Sequence, residues 1–347
     1  DIYLLLRTKF EEVRIAEAGQ IGNVTIVDTA LPGGMIKPNK KRNLILGIFA
    51  GLAAGIGFVF LKEQLDSSVR SPEDIENLDI PVIGVIPKVQ KSDVMLKGGE
   101  QSLIMVVAPR QAASEAYRDL RTSIRVTSAE EGIHSILITS SGPREGKSTT
   151  AGNLAVAIAQ TGSKVLLVDT DLRRPVLHRM FGLPREPGFS EAIAGITTVE
   201  EAVRNTEIEN LSVLTCGYIP HNPSELLGSR RFRNFLSQLR KSFDMIILDS
   251  PPVAVVTDPI VLSPEVDATL MVVGVKKIDR KVLKSAWDKL RRRSGYCAGA
   301  VLNEFDPVTT YTSYSYYSYR YNYYYQDEAK KKRRLKKLTR KNPDKKR

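Results

Sequence analysis

The stretch that decides the fold is residues 136–150, which read ILITSSGPREGKSTT. The apolar, β-branched run at 135–139 predicts a buried strand, and residues 151–160 have the composition of a helix. The loop between them therefore lies at a helix N-terminus, where unpaired backbone N–H groups and the helix dipole attract phosphate. In such a loop Lys147 can reach the β- and γ-phosphates of a nucleotide, and the Ser148 hydroxyl can ligate Mg²⁺.

This loop departs from the usual phosphate-loop pattern G-x-x-x-x-G-K-[ST] at its start. Ser141 occupies the first glycine position, and Gly142 follows one residue late. For this segment alone, a chance Gly-Lys-Ser turn is the alternative interpretation. If it is a phosphate loop, the residues predicted to bind nucleotide are Ser141, Gly142, Glu145, Gly146, Lys147, Ser148 and Thr149.

Beyond the loop, strand-like and helix-like segments alternate. The strand-like runs are residues 164–169, 211–216, 245–249, 268–275 and 298–303, and the clearest helix-like runs are 223–241 and 279–293. Repeated strand–helix units predict an α/β fold of the P-loop NTPase type, with a parallel sheet covered by helices on both faces. Ligands of such sheets bind at the carboxyl ends of the strands.

Carboxylates stand at two of these strand ends. Asp169 ends the run at 164–169 and Asp171 comes two residues later, and Asp249 ends the run at 245–249. One such carboxylate is often only a helix cap, but three beside a Gly-Lys-Ser loop predict a magnesium site made of Ser148, Asp171 and Asp249. Asp169 then remains to accept the proton of an attacking hydroxyl, with exchange of roles between Asp169 and Asp171 left open.

A continuous apolar segment precedes this region. Residues 44–61 contain no polar side chain and, as a helix, would extend about 27 Å, close to the ~30 Å of a bilayer core. They predict a transmembrane helix, whereas residues 1–20 predict an amphipathic helix and residues 24–30 a strand. A short strand is also predicted at 82–88 and a polar linker at 90–101.

The orientation of this helix follows from the nucleotide. Four basic residues at 37–42 would be cytoplasmic by the positive-inside rule. Nucleotide is a cytoplasmic ligand, however, so we expect the C-terminal part inside and residues 1–42 outside. The chain does not begin with Met, and we expect it to be part of a longer protein, with an earlier transmembrane helix if that protein starts in the cytoplasm.

The net charge of +12 is concentrated at one end of the chain. Residues 330–347 carry twelve Lys or Arg and one acidic residue, so the remainder is near +1 and is not a basic protein. We expect this basic tail to bind anionic lipid. Cys216 and Cys297 are far apart in sequence and indicate neither a zinc site nor a disulfide framework, which suits a reduced, cytosolic environment.

Nine of the thirteen tyrosines lie between positions 311 and 325, in a segment with no strand or helix periodicity. A stacking platform for nucleic acid or sugar, an aggregation-prone tract and a membrane-interface belt are all compatible with this composition. Beside a nucleotide site, phosphoryl transfer to tyrosine becomes the leading hypothesis. The predicted acceptors are Tyr311, Tyr314, Tyr316, Tyr317, Tyr319, Tyr321, Tyr323, Tyr324 and Tyr325.

The predicted helix at 112–128 carries Glu115, Arg118 and Arg121 at three-residue steps on one face. The pattern has two interpretations. It is either a solvated face with local ion pairs or a surface that pairs with a neighbouring subunit.

Together these features resemble the bacterial tyrosine kinases of polysaccharide co-polymerases, membrane proteins of capsule and exopolysaccharide synthesis. The phosphate loop, the two acidic motifs and the tyrosine cluster match the family's motifs, and Glu115, Arg118 and Arg121 match its E-x-x-R-x-x-R subunit-contact motif. The resemblance implies ATP and Mg²⁺ as cofactors, catalytic roles for Lys147, Asp169 and Asp171, and autophosphorylation in trans within a homo-oligomeric ring.

The resemblance also implies a domain order and partners. An exoplasmic α+β chain-length-determinant domain would end with residues 1–43, and a helix at 44–61 would span the bacterial inner membrane. A juxtamembrane linker would follow at 62–110, then a cytoplasmic tyrosine kinase domain at 111–308. The tyrosine cluster and the basic tail would occupy residues 309–347. The implied partners are the membrane, the polysaccharide export and polymerisation machinery and a protein-tyrosine phosphatase, with no nucleic acid.

Two other functions compete with this hypothesis. Membrane-recruited partitioning ATPases share the loop and the strand-end aspartates, but they carry a lysine early in the loop, where this chain has Gly142, Pro143 and Arg144. A scaffold whose nucleotide site controls assembly without phosphoryl transfer is the second alternative.

Overall fold

The computed structural model describes residues 1–19, 33, 38–89, 103–293 and 295–306, without the side chains of 127–131. Within it the chain divides into two compact units, Asp1–Asp66 and Ser67–Arg347. The predicted strand at 24–30, the linker at 90–101, the tyrosine cluster and the basic tail lie outside the described residues.

The described residues of the first unit form two helices, α1 (Ile2–Gly19) and α2 (Lys40–Leu65). Both predicted helices are therefore confirmed. Asn39 caps α2 by accepting a hydrogen bond from the Arg42 N–H at 3.3 Å. In the described part of the chain, α2 is the one helix long and apolar enough to cross a membrane.

The second unit alternates strands and helices. Its elements are α3 (Pro72–Glu76), β1 (Val82–Pro87), α4 (Ile104–Val107), α5 (Ala112–Glu131), β2 (Ser135–Ser140), α6 (Lys147–Ala159), β3 (Val165–Asp169), α7 (Leu177–Met180), α8 (Phe189–Ala194), α9 (Val199–Ala202), β4 (Val203–Asn205), β5 (Leu211–Leu214), α10 (Pro223–Leu227), α11 (Arg230–Leu239), β6 (Met245–Asp249), α12 (Asp258–Leu262), β7 (Ala268–Gly274), α13 (Arg280–Arg291) and β8 (Cys297–Phe305).

The eight strands form one sheet in the order β1-β8-β7-β2-β6-β3-β5-β4. Every neighbouring pair is parallel except β4 with β5, which is antiparallel. The predicted α/β class and parallel sheet are confirmed. The order places β2 beside both β6 and β7, and β6 beside β3, so the loop after β2 and the acidic ends of β3 and β6 share one edge.

Helices cover both faces because successive strand residues point to opposite sides. Along β2, Ile136 and Ile138 join the core shared with α5 and α6, whereas Leu137 joins the core shared with α8 and α11. A third cluster packs α3 and α13 against β7 and β8, centred on Trp287 and Leu290.

Two local predictions were incomplete. The run at 223–241 forms two helices, α10 and α11, because the chain turns at Gly228 and Ser229 then caps α11 by accepting from the Phe232 N–H at 3.2 Å. The short edge strand β4 was not predicted, since three half-exposed residues carry no periodic signal.

Candidate functional site

The predicted strand, loop and helix are present at β2, residues 141–146 and α6. The helix begins at Lys147, directly after Gly146, which adopts a left-handed conformation with φ of 95°. A Cβ at Gly146 would lie 2.1 Å from the Asn303 amide nitrogen, so both space and backbone geometry require glycine here. The loop therefore delivers Lys147 and Ser148 in the first turn of α6.

Glu145 fastens the loop to the sheet. Its buried carboxylate accepts hydrogen bonds from the backbone N–H groups of Gly142 and Gly274, the second at 2.9 Å. Burial raises the pKa of Glu145 to about 7, although these backbone donors and Lys277 act in the opposite direction. The side chain of this predicted nucleotide-binding residue thus shapes the loop and joins it to the end of β7.

Two further side chains hold the same loop from β8 and the segment after β7. Asn303 donates its amide to the Glu145 carbonyl at 2.9 Å, and Lys277 donates to the Arg144 carbonyl at 2.8 Å while pairing with Glu304. Sequence reasoning missed both residues. Asn303 ends the predicted strand-like run at 298–303 and lies two residues before the carboxyl end of β8, and this position near the ligand-binding edge was the signal that could have found it.

The predicted catalytic and metal-binding side chains converge on Lys147. Its ammonium lies 2.8 Å from Asp171 Oδ2, 3.5 Å from Asp249 Oδ1 and 3.1 Å from Ser148 Oγ. β3 and β6 are parallel neighbours, and their register pairs Asp169 with Asp249. The carboxylates at the ends of these two strands therefore lie together. Residues far apart in sequence thus form one buried polar cluster.

The charges in this cluster control one another. Asp169 and Asp249 are fully buried, and burial is the main reason that the pKa of each carboxyl is raised. Burial lowers the pKa of Lys147, but the attraction of Asp249 and Asp171 outweighs it, and the pKa stands above its ordinary value. Lys147 therefore remains an ammonium ion facing three carboxyl groups.

This cluster suits a hard divalent cation. Neither oxygen of Asp249 receives a hydrogen bond from the residues that the structure describes, although Lys147 lies nearby. Across the same residues, no group of three or more His, Cys, Asp or Glu forms an all-protein metal site. Mg²⁺ in proteins commonly binds one or two carboxylates, with water and substrate phosphates as its other ligands. Ser148, Asp171 and Asp249 would supply the protein ligands of such a site.

Asp169 has a second, structural task. Its Oδ2 accepts hydrogen bonds from the N–H groups of Val176 and Leu177, at 3.1 and 3.0 Å, at the start of α7. Its Oδ1 has no hydrogen-bond partner among the described residues. One oxygen thus holds the start of α7, and the other receives no hydrogen bond from the described residues.

An ion pair that the sequence did not indicate fixes the segment that follows Asp171. Arg173 contacts the fully buried Asp258 through two hydrogen bonds, Nε to Oδ2 at 2.8 Å and Nη2 to Oδ1 at 3.2 Å. Ser224 also donates to Asp258. This bidentate pair links the segment after β3 to α10 and α12.

The predicted subunit-contact residues contact their own unit. Arg118 pairs with Glu115 at 2.5 Å and donates to the Pro109 carbonyl at 2.8 Å, and Arg121 donates to the Ala157 carbonyl at 3.0 Å. All three side chains lie on α5. The nine predicted phosphoacceptor tyrosines lie outside the described residues.

Two family models match the chain. One, described as "G-rich domain on putative tyrosine kinase", matches residues 1–64, and the other, described as an AAA domain, matches residues 136–279.

Several relatives match nearly all of the chain. The tyrosine-protein kinase ptk of Acinetobacter johnsonii is 37% identical over 87% of this chain and 42% of its own length. The tyrosine-protein kinase etk of Escherichia coli K12 is 32% identical over 91% of this chain and 45% of its own. The chain thus spans less than half the length of these curated relatives.

Solved structures match the second unit's fold. The kinase domain of the Escherichia coli tyrosine kinase ETK is 30% identical with a TM-score of 0.64, covering 70% of this chain and 97% of that one. The chimerical protein CapA2B2 is 37% identical with a TM-score of 0.62, covering 68% and 99%.

Replacing Lys147 by Met should strongly destabilise the nucleotide-free protein. The change leaves Asp171 and Asp249 without their ammonium partner, and a broken buried ion pair costs about 3–5 kcal/mol. The deficit in the free energy of unfolding should shrink as pH falls, because burial raises the pKa of the Asp249 carboxyl and its protonation removes an unpaired charge. Thermal and denaturant unfolding at several pH values measure it.

Lys164→Met is the matched control, since this lysine is exposed on the same unit and should tolerate the change. If the Lys147→Met and wild-type chains had equal free energies of unfolding above neutral pH, the ion pairs of Lys147 with Asp171 and Asp249 would not stabilise the fold, and the prediction would be wrong.

Glu145→Gln should remove one component of the pH dependence of stability. Because the pKa of Glu145 is raised from 4.5 to about 7, the folded wild-type chain binds a proton that the unfolded chain has released between these values. This group's contribution to stability therefore falls, by at most about 3 kcal/mol, as pH rises through that window. Denaturant titrations of both chains from pH 4.5 to 8 measure the difference.

A wild-type-minus-variant stability difference that is independent of pH would be incompatible with a buried, protonated Glu145. A constant offset of about 1–3 kcal/mol is expected in addition, because the Gln amide cannot accept from both Gly142 and Gly274.

Proposed function

This chain belongs to the family of bacterial tyrosine-protein kinases, and on that premise we propose that it transfers the γ-phosphate of ATP to tyrosines of its own C-terminal cluster. The observation that carries the proposal is the group formed by the partly buried Lys147 and Ser148 and the buried Asp171 and Asp249 at the ends of β2, β3 and β6. Phosphoryl transfer needs positioned positive charge and carboxylates that hold a metal, and this cluster offers both.

Each residue has a separate task in the proposed reaction. The N–H groups of the loop from Ser141 to Thr149 bind the phosphates, with Glu145 fixing the loop's shape. Lys147, now paired with the carboxylates, would bind the β- and γ-phosphates of ATP. Ser148, Asp171 and Asp249 would hold Mg²⁺, which would supply electrostatic stabilisation of the phosphates.

Asp169 accepts the proton of the attacking tyrosine hydroxyl in this proposal. Its raised pKa suits a general base that works near neutral pH, and its Oδ1 is without a hydrogen bond from the described residues. Arg173, tied to Asp258, keeps the segment between Asp169 and α7 in place.

Transfer takes place in trans between subunits of a ring in which Glu115, Arg118 and Arg121 contact a neighbour. These three side chains are half-buried on α5, and the tyrosine cluster follows β8 at the end of the same unit. Each phosphotyrosine adds about −1.5 to −2 charges. Modification of most of the nine tyrosines would outweigh the positive tail, repel neighbouring tails and loosen the ring.

The proposed setting is the bacterial inner membrane, crossed by α2, with the second unit on the cytoplasmic side where ATP is available. Cycling between phosphorylated and unphosphorylated rings would regulate the polymerisation and export of a polysaccharide, and a protein-tyrosine phosphatase would return the ring to its starting state. The family membership supports this role.

The wild-type full chain in nanodiscs, given ATP and Mg²⁺, should form phosphotyrosine within residues 311–325, measured by mass spectrometry. The Lys147→Met chain should form none, because it lacks the charge that positions the transferred phosphate. Absence of phosphotyrosine in the wild type would contradict the kinase hypothesis and favour a scaffold whose nucleotide site controls assembly without phosphoryl transfer. For transfer in trans, Lys147→Met chains should become phosphorylated when mixed with an active chain whose nine tyrosines are replaced by Phe.

Asparagine substitutions at Asp169 and Asp171 should have different effects. Asp171→Asn should raise the Mg²⁺ concentration required for half-maximal rate, because it removes a metal ligand. Asp169→Asn should lower kcat by about 10²–10⁴ without changing that concentration, because it removes the base. Nucleotide binding by both variants provides the control for folding, and the reverse pattern of kinetics would exchange the two roles.

A further inference from the structure

The helix α13 and its C-cap residue present a mainly basic stripe. Lys281, Ser285 and Lys289 of α13 and Arg292 at its C-cap follow one another at three- and four-residue steps and line an open groove of about 520 Å³. On the opposite side, Leu283, Ala286, Trp287 and Leu290 are buried against β7 and β8. The basic stripe is therefore the outward face of a helix that is firmly fixed to the sheet.

Acidic neighbours neutralise only part of this stripe. Asp74 of α3 pairs with Arg280 at 2.9 Å, and Asp288 pairs with Lys284 at 3.4 Å. Lys281, Lys289 and Arg292 are exposed and have no acidic partner within ion-pair distance among the described residues. Three positive charges in one groove thus remain available to a negatively charged ligand.

The start of α13 is bonded to the segment that follows the candidate membrane span. Ser67 donates its hydroxyl to Asp279, the residue that caps α13, and its carbonyl accepts from the Arg280 N–H at 3.1 Å. Val69 adds two backbone bonds, to the Ile278 carbonyl at 3.0 Å and from the Lys276 N–H at 2.8 Å. This segment is therefore joined to the first turn of α13 at several points.

Chain length then limits how far α13 can begin from the bilayer. After Leu61, the last residue of the apolar run, residues 62–65 continue α2 for about 6 Å. This is the thickness of one headgroup layer, given ~40–45 Å for the whole bilayer and ~30 Å for its core. Ser67 follows Leu65 by two residues, at most about 7 Å of extended chain.

We propose that the groove lined by Lys281, Lys289 and Arg292 binds the phosphate headgroups of anionic phospholipids and so holds the catalytic unit against the membrane surface. The negative potential of such a surface extends about one Debye length, ~8–10 Å, and attracts basic side chains within that range. In a soluble protein such a stripe would contact only water, but here the start of α13 is bonded to the segment that follows the candidate membrane span. The contact rests on the proposed membrane location and is independent of phosphoryl transfer.

Amine footprinting of the full chain in nanodiscs tests this contact. An amine-reactive ester labels exposed lysines, and mass spectrometry gives the rate at each site. In discs that contain phosphatidylglycerol, Lys281 and Lys289 should react more slowly than in phosphatidylcholine discs, because headgroups cover them and favour the unreactive ammonium. Lys164 and Lys241, exposed elsewhere on the same unit, serve as internal controls and should react equally in both.

A matched set of arginine variants tests the role of the charge. Each basic side chain near an anionic surface strengthens docking about fivefold, so Arg292→Glu should weaken protection of Lys281 and Lys289 by at least about fivefold. Arg292→Lys should retain the protection. Arg230→Glu, a charge reversal at an exposed residue of α11, should leave the protection unchanged.

Equal labelling of Lys281 and Lys289 in the two kinds of disc would overturn the proposal, as would full protection in the Arg292→Glu chain. Protection produced in phosphatidylcholine discs by inorganic phosphate alone would also overturn it, because the groove would then be a site for a soluble anion. Because footprinting is performed without ATP, its result is separate from the test of kinase activity.

Discussion

The second unit depends on the balance of buried charge at the carboxyl ends of β3 and β6. Asp169 and Asp249 are fully buried side by side, and Asp171 is nearly so. Such carboxylates are costly to bury unless an opposite charge compensates them. Lys147 supplies that charge, and its position is set by the left-handed Gly146 and by Glu145, which fastens the loop to β7.

The same arrangement places one cation where the proposed metal would bind. The Lys147 ammonium lies within 2.8 Å of Asp171, 3.1 Å of Ser148 and 3.5 Å of Asp249, the residues that we propose as magnesium ligands. In the proposed reaction a nucleotide would offer phosphate oxygens to Lys147, and Mg²⁺ would take its place beside the carboxylates. We therefore expect nucleotide binding and metal binding to be coupled through these ion pairs.

Much of this site could be predicted from sequence because its parts lie at the ends of strongly apolar strands. Asp169 and Asp249 each end such a strand, and Lys147 opens a helix after a glycine, so strand order alone brings them together. The supports were not predictable in this way. Glu145 meets Gly274 and Arg173 meets Asp258 across gaps of 129 and 85 residues, and these contacts depend on exact packing. By contrast, Gly228 followed by a capping Ser229 is a sequence signal for the break between α10 and α11, although residues 223–241 were predicted as one helix-like run.

The most direct test of the central claim measures Mn²⁺ binding by the full chain, with and without ATP, using electron paramagnetic resonance to detect the bound ion. The wild type should bind Mn²⁺ tightly only when the nucleotide is present, because Lys147 otherwise occupies the ligands. Asp249→Asn should lose this nucleotide-dependent binding. Tight binding of Mn²⁺ with ATP by the Asp249→Asn chain, equal to that of the wild type, would contradict the assignment of the buried strand-end carboxylates as the metal site.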